Sequence, residues 1–402
     1  MTAAQDVSAR AQGAAFAVLL AVSAGHLIND TMQALLLSIY PMLRDIHALS
    51  FTQVGFITLA FQATASVLQP LVGLYTDKHP IPYSLPIAPA LTLVGLVIVG
   101  LAGNYPLLLT GAALIGIGSS VFHPEASRLA RLSSGGRYGF AQSLFQLGGN
   151  FGTSIGPLLA AFIVVPHGQG SVAWLSIMAL LSVAILGHAA RWYAHHLKPK
   201  ASTGPQAQAG HGLPRRTVVI SLVILLCLMF SKFVYTSSMS SFYTFYLIDK
   251  FGLTPKEAQL DLFVYLAAFA AGTLLGGPIG DRIGRKAVIW FSVLGALPFT
   301  LALPYANHFW TLVLSVPIGF ILASAFSAML VYAQELVPGR IGLISGLFFG
   351  VAFGIAAIGA ALLGTVADWT SISFVYGLCS YLPAIGLLAM FLPGSSDLKR
   401  KS

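Results

Sequence analysis

GPIGDRIGRK, Gly277–Lys286, has a counterpart earlier in the chain, GLYTDKHP, Gly73–Pro80. Both read Gly-x-x-x-Asp followed by a cation, and they start 204 residues apart. A second pair, RYGFAQSLF from Arg137 and RIGLISGLF from Arg340, recurs at an offset of 203. One short match would mean little. Two echoes in register point to a duplicated unit about half the chain long, because self-similarity at a fixed period marks a repeated structural module.

The sequence around these loops is apolar. Of 402 residues, 56% are hydrophobic and 8% charged, against about 25% charged in a soluble domain. That balance predicts a membrane protein. Stretches long enough to cross a hydrocarbon core about 30 Å thick fall near 14–40, 51–74, 85–103, 106–130, 139–165, 171–193, 216–248, 256–280, 287–306, 309–334, 342–367 and 371–393. The longest polar gap, AHHLKPKASTGPQAQAGHGLPRR, covers residues 194–216. Its Pro, Gly, Gln and basic content without apolar periodicity predicts a flexible linker. It separates a half at 1–193 from one at 217–402, six segments in each, and each loop echo follows the second segment of its half. The start, with Arg10, apolar Ala14–Val22 and Ser23-Ala24, has some features of a secretory leader. The apolar pattern continues to Tyr40, however, so the reading favours a first spanning segment. Cys227 and Cys379 lie in apolar runs and read as small core residues.

The formal charge of +9 is an orientation signal. With twelve crossings both termini share one side, and 17 of the 21 Lys and Arg residues fall there. The other side holds Arg44, Lys250 and Lys256, with Lys232 left inside a segment. Basic residues concentrate in cytoplasmic loops, which predicts cytoplasmic termini and linker, and no nucleic-acid footprint. No HExxH or comparable spacing suggests a metal, and no cofactor is expected beyond a coupling proton.

The loop Gly277–Lys286 matches in full the signature Gly-x-x-x-Asp-Arg-x-Gly-Arg-Lys. On it the chain resembles the major facilitator superfamily. The resemblance implies an all-α membrane fold of twelve transmembrane helices in two pseudo-symmetric six-helix halves. It also implies transport by alternating access, no enzymatic activity, and action as a monomer in the lipid bilayer. By position it gives Asp77, Lys78, Asp281, Arg282 and Arg285 a part in gating loops. The first copy departs from the pattern after Asp77-Lys78, where it runs His-Pro-Ile-Pro. HLINDTMQ, IYPML, VFHPEASRLAR, SGGRYGFAQSLFQLGGNFG, SSFYTFYL, GFILASAFSAMLVYAQELVPGRIG and SGLFFGVAFG further resemble the bacterial fosmidomycin-resistance transporters. These are inner-membrane proteins of that superfamily associated with efflux of a small phosphonate antibiotic. Ser143–Ala161 is similar to the superfamily's antiporter signature, with Gly152, Gly156 and Pro157 in place and Ser143, Ala160 and Ala161 where it has glycine. That implies export.

Polar residues inside the segments supply the candidate site. In GHLINDTMQA, Gly25–Ala34, His26, Asn29, Asp30 and Gln33 form one helical stripe. A charge at membrane depth costs about 2.5–3.5 kcal/mol on insertion scales, so such residues line cavities or pair with one another. Asp30 lies 16 residues into the first segment and Lys232 lies 16 beyond Arg216 in the seventh. The two are therefore expected at equal depth, where they could approach each other. Asp30 is the expected proton carrier, with Lys232, supported by His26, as contact for an anion. A salt bridge joining two helices is the alternative.

Gln62, among Thr58, Ser66 and Gln69, and Gln146 and Asn150, with Gln142, form one-sided stripes on the second and fifth segments. Either substrate contact or inter-helix hydrogen bonding would explain them, and the same choice applies to Asn29 and Gln33. Tyr235 and Tyr243 are cavity candidates from an aromatic face following Lys232, for which packing is the alternative. His123 and Glu125 are candidates for an inner proton exit, although Glu125 can also pair with Arg128 at i+3. Glu335 is an ambiguous acid that could pair with Arg340. The resulting expectation is proton-coupled export of small, polar, anionic compounds. Import or exchange of a metabolite anion is the alternative.

Overall fold

The computed structural model describes residues 3–134, 138–196, 213–337 and 341–394. Within them the chain is helical almost throughout, as it must be where no water can satisfy backbone N–H and C=O groups. The main helices are α1 Ala3–Ser38, α2 Phe51–Lys78, α3 Ser84–Leu101, α4 Tyr105–Leu132, α5 Tyr138–Leu159 and α6 Met178–His196. They continue with α7 Arg215–Phe251, α8 Pro255–Ile283, α9 Arg285–Leu294, α10 His308–Ala323, α11 Ile341–Trp369 and α12 Ile372–Cys379. Short helical pieces extend several of these, such as Ala325–Leu336 beyond α10.

Eleven helices among the described residues are long and apolar enough to cross a membrane, from Ala15–Ser38 to Ile372–Phe391. The remaining rod, α8, has 29 residues and carries Lys256, Glu257 and Asp261 near its start. These spans fall within a few residues of those expected. Most of the expected linker, residues 197–212, lies outside the described residues.

Local chemistry fixes the helix ends. Ser50 caps α2 in a reciprocal box with Gln53, and Asn307 caps α10 through the Trp310 N–H. Gly252, at φ 67°, ends α7 in the left-handed region that glycine enters without Cβ strain. After Pro157, α5 widens into a π turn at Ala160–Val164, where the missing N–H interrupts the regular ladder.

Small residues let the helices approach closely. On α5, Gly148, Gly149, Gly152 and Gly156 lie against α1; a Cβ on Gly156 would come 2.6 Å from that of Ala34. The first and last six helices meet chiefly through α2 against α11 and α5 against α8. Gly55 lies against the Ala360 carbonyl, Ser66 donates to the Gly350 carbonyl at 2.6 Å, and Asn150 donates to Thr273 Oγ1 at 2.8 Å.

At the end of the bundle that carries Ser50, Asp368 of α11 receives the Phe51 and Thr52 N–H groups and the Thr52 hydroxyl at 2.9, 2.7 and 2.6 Å. Gln259 also reaches the Ser38 carbonyl there, and the Arg44 guanidinium lies 4.1 Å from the Phe51 ring centroid. The side chains of Asp77, Lys78, Asp281 and Arg282 lie outside the described residues. Arg285 is described. Its ion-pair partner is Glu335, so that acid does not wait for Arg340, which itself falls outside the described residues.

Candidate functional site

A cavity of about 260 Å³ lies between the two sets of six helices. Its walls come from α1, α2, α4, α5, α7, α8 and α11, together with Ala323 of α10 and Phe326 just beyond it. Among the described residues, none of α3, α6, α9 or α12 lines it.

Asp30 sits on one wall between two histidines. His26 Nε2 is 3.1 Å from Asp30 Oδ2, one helical turn along α1, and His123 Nε2 of α4 is 3.9 Å from Oδ1. Asn29 Nδ2 donates to Oδ1 at 3.2 Å. Each imidazole is anchored through its other nitrogen. His26 Nδ1 lies 2.8 Å from the Phe145 carbonyl and His123 Nδ1 lies 2.9 Å from the Ser119 carbonyl. A carbonyl only accepts, so both Nδ1 atoms carry hydrogen. His26 stacks on Phe145 with centroids 4.1 Å apart and meets His123 edge-on at 5.1 Å. Gly149 makes room for this cluster, because a Cβ there would run into the His26 ring and come within 2.8 Å of Asp30 Oδ2. His26, Asp30 and His123 each offer a ligand atom, all within 4.8 Å of one another, the arrangement a metal ion would use.

Lys232 lies on the α7 wall and is 1% exposed. Its Nζ has neither a hydrogen-bond nor an ion-pair partner among the described residues. Instead it lies 5.4, 5.9 and 5.5 Å from the ring centroids of Phe233, Phe269 and Phe326, within the range of cation–π attraction. Asp30 and Lys232 therefore share the cavity but form no ion pair. The acid stands between histidines and the lysine among aromatic faces.

Gln33, Gln62, Gln146 and Asn150 line the cavity as well. Several other sequence candidates lie elsewhere. Asn29 is fully buried, with Thr92 Oγ1 of α3 at 3.5 Å, which is the inter-helix alternative. Glu125 is fully buried, does not line the cavity, and pairs with Arg128 at 3.0 Å. Tyr235 and Tyr243 are buried outside the cavity; Tyr243 packs 6.3 Å from Tyr376 and 6.5 Å from Tyr265.

The face of α7 that does continue from Lys232 is Thr236, Ser237 and Ser240. Lys232, Thr236 and Ser240 are spaced by four, a stripe visible in the sequence but overshadowed by the larger aromatic residues beside it. Tyr243 points in nearly the same direction as Lys232 but stands 11 residues on, about 16 Å further along the helix. That is beyond the cavity's end. Thr153 and Thr273 are further cavity hydroxyls that no sequence stripe singled out.

A chamber at the joint of two helical sets, mostly apolar but with an acid–imidazole group on one wall and a lone ammonium on the other, is the site of a carrier. The chain belongs to the Major Facilitator Superfamily, whose family description matches residues 22–254 and 224–402. It is 58% identical over 379 residues to the fosmidomycin resistance protein of Escherichia coli strain K12, covering 94% of this chain and 93% of that protein. It is 39% identical over 386 residues to an uncharacterized transporter of the same type, YfnC of Bacillus subtilis strain 168, covering 96% and 94%. A crystal structure of a mutant nucleoside transporter NupG shares the fold, with a TM-score of 0.71 at 12% identity over 93% of this chain and 98% of that one. The protein is thus a multi-pass membrane transporter and not an enzyme.

Proposed function

We propose that this transporter exports small, polar, anionic compounds of the phosphonate type in exchange for protons. It works in the bacterial inner membrane as a monomer with cytoplasmic termini, using alternating access. The observation that carries the reading is the separation of charge across one cavity: Asp30 within its histidine pair on α1, and Lys232 without a counter-ion on α7. A buried ammonium that lacks a partner is costly, and an anionic cargo is the group that would complete it. A proton arriving among Asp30, His26 and His123 changes the field across the chamber by one charge. In that way ion and cargo can alternate without touching. The name of the Escherichia coli relative supports fosmidomycin as the cargo to try first.

The test is flux of fosmidomycin in proteoliposomes under an imposed pH gradient, for wild type, Asp30→Asn and Lys232→Ala. The expected result is loss of pH-driven flux but retained counterflow in Asp30→Asn, and loss of both in Lys232→Ala. Unchanged pH-driven flux in Asp30→Asn would remove Asp30 from coupling.

A further inference from the structure

With both imidazoles in their neutral form, the arrangement around Asp30 presents three acceptors and no donor among themselves. Because both Nδ1–H groups are committed to the Phe145 and Ser119 carbonyls, each imidazole in its neutral form presents an Nε2 lone pair. Both lone pairs converge on a carboxylate, at 3.1 and 3.9 Å. Asn29 answers one oxygen of that carboxylate but neither nitrogen. Such a group repels itself unless a cation lies within it. A proton is one such cation. The geometry points to a second: we propose that His26, Asp30 and His123 form a binding site for a divalent transition-metal ion, with its remaining coordination positions open to the cavity.

Four features support this. The donor set is two imidazole nitrogens and a carboxylate oxygen, suited to zinc, cobalt or nickel rather than magnesium or calcium. Both histidines are oriented by backbone carbonyls on their far nitrogens, the outer-shell support that fixes metal-ligating imidazoles. The spacing is workable: ligands about 2.1 Å from a tetrahedral ion stand about 3.4 Å apart. One pair here is already at 3.1 Å, and all three atoms lie within 4.8 Å of one another. Finally, the protein closes the back of the site and leaves the front free. Gly149, Phe122 and Phe145 pack against His26, while the three ligand residues line the chamber. An oxygen of an anionic cargo could then occupy an open position, and metal would compete with a proton for the same three atoms.

The experiment uses full-length transporter in detergent, purified through a tag without histidine and stripped with a chelator. Cobalt chloride is titrated at neutral pH while its visible d–d absorption is read, with zinc then added to displace it. The expected result is one cobalt per chain, displaced by zinc. Binding should be weakened about tenfold or more in His123→Ala and in Asp30→Asn. Each variant is checked for folding by circular dichroism and a monodisperse elution profile. His123→Gln serves if His123→Ala fails either check. No cobalt absorption in wild type up to millimolar metal would overturn the proposal. So would binding that survives both ligand substitutions, since the metal would then sit on exposed side chains such as His195 and His196. The readout needs no transport. Proton-driven flux of chelated wild type tests the proposed function separately.

Discussion

Lys232→Met should make the empty transporter more stable and the cargo-loaded one less so. Methionine keeps the length and apolar stem of the side chain but removes a charge that is 1% exposed and has no hydrogen-bond partner. A lysine at membrane depth costs about 2.5–3.5 kcal/mol on insertion scales. The rings of Phe233, Phe269 and Phe326 return about 0.5–1 kcal/mol each. The difference leaves about 1 kcal/mol of relief, which for a chain this long raises Tm by about 1–2 °C.

Fosmidomycin at a hundredfold excess over its Kd would stabilise wild type by about 2.7 kcal/mol, or about 3–5 °C on the same scale. The variant, lacking the ammonium, should gain nothing. The two melting curves therefore exchange order when ligand is added, which thermal unfolding in detergent by tryptophan fluorescence can follow. A variant that melts below wild type without ligand would refute the reasoning about the unpaired charge. A variant that still responds to fosmidomycin would refute the role of Lys232 in binding.

Three further outcomes follow from the geometry. Asp368→Ala removes the carboxylate that α11 places on the first N–H groups of α2; losing a cap-like contact costs about 1 kcal/mol, so the ratio of joined to parted arrangements at this end should fall about fivefold. Double electron–electron resonance between spin labels at Asp45 and Lys256, in a background without Cys227 and Cys379, would show a longer distance gaining weight. Gly149→Ala drives a methyl into His26 and Asp30, and overpacking of this kind costs about 1–3 kcal/mol. Loss of pH-driven flux along with lowered Tm is expected. Thr58→Val strands the buried Tyr40 hydroxyl, now 2.8 Å from Thr58 Oγ1, at about 1–3 kcal/mol. Adding Tyr40→Phe should recover most of that loss in thermal unfolding.

Much of the fold could be read in advance because a bilayer imposes its thickness on the chain: every apolar run of sufficient length had to become a rod. The stripe His26, Asp30 and Gln33 was legible for a similar reason, since a one-sided polar face in an apolar segment needs a cavity. The partner of Asp30 was not. Equal depth suggested Lys232, but depth says nothing about azimuth or about which neighbour is nearer. His123, which sits 97 residues from His26 in sequence, reaches Asp30 from α4. The metal-like grouping escaped for the same reason, because only two of its members share a helix. Tyr235 and Tyr243 misled through size. Large aromatics near a buried lysine suggest a pocket wall, yet here the small hydroxyls Thr236, Ser237 and Ser240 leave the room that a cavity requires.

One consequence of the bond between Asp368 and the start of α2 concerns how firmly the transporter is held shut there. The carboxylate answers two backbone N–H groups at 2.9 and 2.7 Å. Ser50 and Gln53 keep their own reciprocal cap whether or not Asp368 is near. If the halves part, water takes over the two donors and the exposed acid, so letting go costs only about the 1 kcal/mol of a lost cap. The bond therefore acts as a snap fastener: it fixes alignment each time the end closes, yet it opens at thermal cost.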